Sequence, residues 1–178
     1  MAPAITFSDK QLETVNNAVA RAEEVVSEAF KMSASQWLRH RYDVRTRQHL
    51  ADDELVDSPF AQVIRYRGQR LDTSLGSAAY DFYMICLQDH AIIASLEQRP
   101  DLDLFAFVLY IVVHELIHIV RFGRFWQNYE ASADEMLVEE GRVHRQTREI
   151  IRSLPEAGIE AVLGFFAHWH SPIDVMAR

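Results

Sequence analysis

The segment that most constrains this chain runs from Leu104 to Val113, ten residues of apolar character that lead directly into His114, Glu115, Leu116, Ile117 and His118. An uninterrupted run of that length is half of the ~20 residues needed to cross a bilayer, so it reads as a helix buried in protein. Two imidazoles and a carboxylate inside such a helix are costly to bury unless each meets a partner. The fold must therefore supply an apolar jacket for the helix and polar groups that converge on one of its faces.

The rest of the chain can build that jacket. Its 178 residues are 49% apolar and 25% charged, with only six Gly and five Pro, which excludes disordered, collagenous and low-complexity classes. The length suits one domain spanning 1–178. Cys86 is the single cysteine, so no internal disulfide and no cysteine-built metal site can form, and a reducing cytoplasm is the expected location. The first twenty residues carry Asp9, Lys10 and Glu13 and no apolar block, unlike a secretory signal. The net charge is -8 although 16 of the 18 basic residues are Arg, grouped at Arg39, Arg41, Arg45 and Arg47 and again at Arg65, Arg67 and Arg70. The acidity argues against a nucleic-acid partner, and no membrane association is expected. The first arginine cluster reads as a solvated helix face paired with nearby acids.

Periodicity predicts a mainly helical α+β domain with a small sheet packed on the helix that bears His114 and His118. Leu12, Val15, Val19, Ala22, Val26 and Phe30 recur every three or four residues after a Ser8 and Gln11 capping pair, giving a first amphipathic helix. A second helix is expected from about Ser35 to Leu50, with Trp37, Leu38 and Tyr42 inward. Val63 to Tyr66 and Tyr80 to Leu87 read as short strands, with Gly68 and Gly76 as turn positions; the second strand is apolar on both faces, so it suits either a sheet edge or a centre. Pro100 and Asp101 open the apolar helix, which Gly123 stops after Phe122. A following helix starts near Trp126 or Asn128 and reaches Ser153, and Pro155 opens a last one carrying Ile159, Val162, Leu163, Phe165 and Phe166. Met32, Met84 and Met136 fill the core, and His168, Trp169 and His170 are packing or surface residues.

The chemistry sits at His114 and His118. Histidines four apart on a helix project from one face and can chelate one ion, with Glu115 beside that face. Zinc accepts imidazole and carboxylate ligands, and a catalytic zinc takes three protein ligands and leaves one position for water. Glu130, twelve residues past His118, is the expected third ligand. Asp134 is the expected hydrogen-bond partner that orients His114.

This pattern over residues 114–134 resembles the gluzincin zinc metallopeptidases, in which His-Glu-x-x-His is followed on a later helix by Glu-x-x-x-Asp. The run Glu130, Ala131, Ser132, Ala133, Asp134 is similar to the corresponding stretch of thermolysin-like enzymes, and the His-Glu-Leu-x-His form also resembles the intracellular repressor-cleaving peptidases of the ImmA and IrrE kind. The resemblance implies one Zn2+ per chain, held by His114, His118 and Glu130, with Glu115 as general base and a peptide or protein as substrate. Tyr129, His144 and Arg142 flank the ligand helix and are candidate donors to the oxyanion. Two alternatives stand beside this reading. One is a catalytically silent metal-binding or regulatory module with a metallopeptidase fold. The other is a di-iron bundle, which needs the Glu-x-x-His motif twice; Glu115 and His118 supply it once.

Overall fold

The computed structural model describes residues 4–57, 59–69, 79–124, 126–169 and 174–177. Helix α1 (Asp9–Ala29) begins at the Ser8 and Gln11 capping box that the sequence announces and buries Val15, Ala18, Ala22, Val25 and Val26. The two alanines are wholly buried, and small side chains there let α1 lie close to the central helix. After the short helix α2 (Ala34–Trp37) the chain forms strand β1 (Arg41–Arg45), then β2 (Ala61–Gln69) and β3 (Ala79–Leu87). Helix α3 (Asp89–Gln98) precedes the central α4 (Leu104–Gly123), which is followed by α5 (Ala133–Arg152), α6 (Ile159–Phe166) and strand β4 (Asp174–Ala177).

The expected helix from Ser35 to Leu50 is replaced by one helical turn and a strand. Arg41 to Arg45 alternate exposed and half-buried positions, the period of a strand with Tyr42 and Val44 on the inner face. Pairing with β3 supplies the backbone hydrogen bonds that a helix would have made locally. The sheet order is β1-β3-β2-β4, with β1 parallel to β3, β2 antiparallel to it and β4 parallel to β2. Strand β3 is thus central, which accounts for its two apolar faces: Tyr83, Met84, Ile85, Cys86 and Leu87 are all buried. Gly68 lies within β2 and pairs with Tyr80 instead of making a turn. Gly76, Arg70 and His170 fall outside the described residues.

Helix α4 is the axis of the core. Every residue from Ala106 to Phe122 is buried, and Asp103, not Pro100, caps its start by accepting the Ala106 N–H at 3.0 Å. By length and mean hydropathy α4 could span a membrane, yet 89% of its most apolar window is covered by other parts of the protein. Residues from the helices and from strands β2 and β3 join it in one apolar cluster. At the start of β2, Phe60 meets Phe107, Phe166 and Trp169 edge-on or tilted, fixing the sheet against α4 and α6. Toward the other end of α4, Tyr83 stacks on Phe122 and Tyr129 donates to the Val63 carbonyl.

Helix α5 starts at Ser132, whose side chain and that of Glu135 form a capping box. This start is several residues later than the sequence suggests. Residues 128–131 are therefore a turn, and Glu130 and Asp134 do not share a helix face. The buried stripe of α5 is Glu139, Glu140, Val143, His144, Thr147 and Ile151. Arg121 clamps this stripe to α4 through a two-pronged, largely buried ion pair with Glu139, 2.8 and 3.1 Å long.

Candidate metal centre

The antiparallel packing of α5 on α4 brings Glu140 against the two histidines of the apolar helix. Glu140 Oε2 lies 3.1 Å from His114 Nε2 and Oε1 lies 2.9 Å from His118 Nε2. The two Nε2 atoms are 3.2 Å apart. His114 and His118 are 0% exposed and Glu140 is 2% exposed. For zinc bonded at 2.0 to 2.1 Å, neighbouring ligand atoms of a tetrahedron stand about 3.3 Å apart, so the observed spacings fit a cage around one small divalent cation.

The hydrogen-bond inventory points the same way. His118 Nδ1 is 2.9 Å from Gln127 Oε1; an amide oxygen only accepts, so Nδ1 carries a proton and donates it. The neutral ring then presents a bare lone pair at Nε2, facing a carboxylate oxygen and a second ring nitrogen. His118 Nε2 and the Glu140 oxygen 2.9 Å from it then need a proton or a metal ion between them. Without an ion, burial pushes the Glu140 carboxyl upward, but the His118 charge, hydrogen bonds from His114 and His118 and the His114 charge together outweigh it and hold the group below the usual carboxylate range.

The third ligand expected from spacing, Glu130, stands elsewhere. Its side chain is 70% exposed and pairs with Arg65 at 3.3 Å, and the group of possible ligands that converge contains Glu140 instead. The cause is the late start of α5, which leaves Glu130 in the preceding turn while the inward face begins at Glu139. Asp134 is likewise an exposed residue of the first turn of α5, lining a surface cavity of about 400 Å3 with Trp126, Val138 and neighbours. The residue that orients a ligand ring is Gln127, and the ring it orients is that of His118. Glu115 is wholly buried in α4.

Of the candidate donors, Arg142 is half exposed and pairs with Glu139. Tyr129 is buried and spent on the sheet: its hydroxyl donates to the Val63 carbonyl at 3.2 Å, and the Arg65 guanidinium lies 4.4 Å from its ring centre. His144 borders the cluster, 1% exposed and with its ring centre 4.4 Å from that of His114.

A signal for Glu140 did exist in the sequence. Glu140, His144, Thr147 and Ile151 follow helical spacing on what proves to be the buried face, and an acid on an inward stripe needs a cationic or metallic partner. Comparison with models of known protein families, with curated proteins and with solved structures gives no match.

Proposed function

We propose that the protein is a zinc-dependent peptidase whose metal is held by His114, His118 and Glu140. The observation that carries this reading is the convergence of three deprotonatable ligand atoms on one point, with Glu115 next to His114 in the His-Glu-x-x-His order of gluzincin-type enzymes. Two imidazoles and one carboxylate suit zinc and leave one of its four positions for a fourth group. Zn2+ there supplies a Lewis acid that polarises a carbonyl and lowers the pKa of water from about 16 toward 7.

The chain's own groups do the remaining work. Gln127 fixes the His118 tautomer so that Nε2 keeps its lone pair. The Glu140 carboxylate neutralises half of the cation's charge. Glu115 takes the proton of the attacking water and returns it to the departing amine as the peptide bond breaks. The substrate class is a peptide or protein in extended form.

Total burial of the three ligands favours a second reading, a metal-binding or regulatory module without turnover. Glu115→Gln separates the two. Under the peptidase reading the variant binds zinc with native stoichiometry and loses hydrolysis of a broad peptide library; retained hydrolysis would refute the assigned base. If native zinc-loaded protein cleaves no member of that library, the regulatory reading replaces it.

A further inference from the structure

The arginine cluster around Arg41 has no part in the chemistry above. A cavity of about 690 Å3 opens beside it, walled by Val15 and Val19 of α1, Trp37 and Leu38 next to it in α2, and the run from Arg41 to Val44 of β1. Successive strand residues point to opposite faces, so a cavity that touches four in a row follows the edge of the strand rather than one face of the sheet. None of its walls comes from α4 or α5, the helices that carry the candidate metal ligands.

Among the described residues β1 ends the sheet. Apolar surface continues past that edge, since Val19 is half-buried and Leu38 is 66% exposed, and one more strand would cover both. Such an edge is a template for strand addition. Charge selects the occupant. Arg41, Asp43 and Arg45 are exposed along β1, and Arg39 is exposed just before it. A second copy of the chain pairing antiparallel over the full length of β1 would set Arg41 opposite Arg45 and the two Asp43 side chains opposite each other, and like charges directly opposed are destabilising. An added strand with acids opposite Arg41 and Arg45 and a basic residue opposite Asp43 makes three complementary pairs instead. The basic residue has a second task. Asp43 Oδ1 accepts the Val44 N–H at 2.9 Å, and a cation opposite draws that carboxylate away from a backbone donor.

We infer that the edge of β1 docks an extended segment of another protein in which acidic, apolar, basic, apolar and acidic residues follow one another. The two apolar residues lie opposite Tyr42 and Val44, on the inner face of the strand, and pack toward Val15 and Val19. The three charged ones lie opposite Arg41, Asp43 and Arg45.

The probe is a capped, fluorescent peptide Thr-Glu-Val-Lys-Val-Glu-Thr, whose charge pattern reads the same in either direction. The full chain should bind it, with 15N NMR shifts centred on the amides of residues 41–45. The inverted peptide Thr-Lys-Val-Glu-Val-Lys-Thr should bind about 10- to 100-fold more weakly, because three complementary cross-strand pairs become three repulsive ones. Combining Arg41→Glu, Asp43→Lys and Arg45→Glu should reverse that order. Asn16→Trp, at an exposed position that lines the cavity, should abolish binding of the first peptide by filling its place, and it carries the test if the charge-swapped variant fails to fold. Zinc should leave the affinity unchanged, since no wall of the cavity belongs to the helices of the metal centre. Equal affinity for the two peptides, no binding of either, shifts centred away from β1 or an affinity that depends on zinc overturns the inference. Dimerisation of the chain through β1, read by sedimentation with the same variants, overturns it by making a second copy the occupant.

Discussion

Replacing Glu140 by Ala separates the structure's ligand set from the one that sequence spacing suggests. Glu140 offers one oxygen to each histidine, at 3.1 and 2.9 Å, so the variant removes one of three protein ligands and the only anionic one. Four-ligand structural zinc sites bind with an apparent 10 to 16 kcal/mol, or about 2.5 to 4 kcal/mol per ligand. At about 1.4 kcal/mol for each factor of ten, Glu140→Ala should weaken zinc by about 100- to 1,000-fold. Glu130→Ala breaks only an ion pair whose acid is 70% exposed, a contact worth about 0 to 1 kcal/mol, and should leave zinc affinity within a few-fold of native. Competition against a chromophoric chelator near neutral pH measures both, with circular dichroism verifying that each variant is folded. Native affinity in the Glu140 variant, or an equal loss in the Glu130 variant, would refute the reasoning.

Other outcomes follow from single residues. Gln127→Ala frees the His118 ring and should weaken zinc by about 10- to 100-fold, seen in the same competition; an unchanged affinity would show that the amide does not set the tautomer. Asp89 is buried and accepts the backbone N–H of Phe7 and of Arg47, each at 2.9 Å. Asp89→Ala strands both donors, at about 1 to 3 kcal/mol each, and should lower stability to chemical denaturant by about 2 to 6 kcal/mol; a loss below about 1 kcal/mol would mean that water replaces the carboxylate. Cys86 is wholly buried, and burial above all pushes its thiol up to about 12. Iodoacetamide should leave it unmodified in native protein near neutral pH and label it fully in denaturant, whereas rapid native labelling would contradict the central position of β3.

Legibility in the sequence followed the strength of local signals. The α1 start, the central apolar helix and its stop near Gly123 were plain because a capping box, an unbroken apolar run and a glycine each act within a few residues. Both histidines of the cluster were plain for the same reason. Strand β1 was hidden, since Trp37, Leu38 and Tyr42 mimic a helical stripe and only pairing with β3, some forty residues away, makes Arg41 to Arg45 extended. Helix α3 was missed where the pattern Ile92, Ile93 and Leu96 is too short to stand out from its surroundings.

The third ligand failed for a related reason. Spacing along the chain favoured Glu130, but partnership depends on where α5 begins and how it turns against α4. Ser132 and Glu135 set that start, and Arg121 with Glu139 sets the rotation. Both determinants were present in the sequence. Their consequence appears only once two helices are packed.

The most direct test is an anomalous-diffraction crystal structure of the zinc-loaded protein. The account predicts one zinc per chain between α4 and α5, bonded to Nε2 of His114 and His118 at about 2.0 to 2.1 Å and to a Glu140 oxygen at about 2.0 to 2.2 Å. An ion bound by Glu130, or no anomalous density between the two helices, would contradict it.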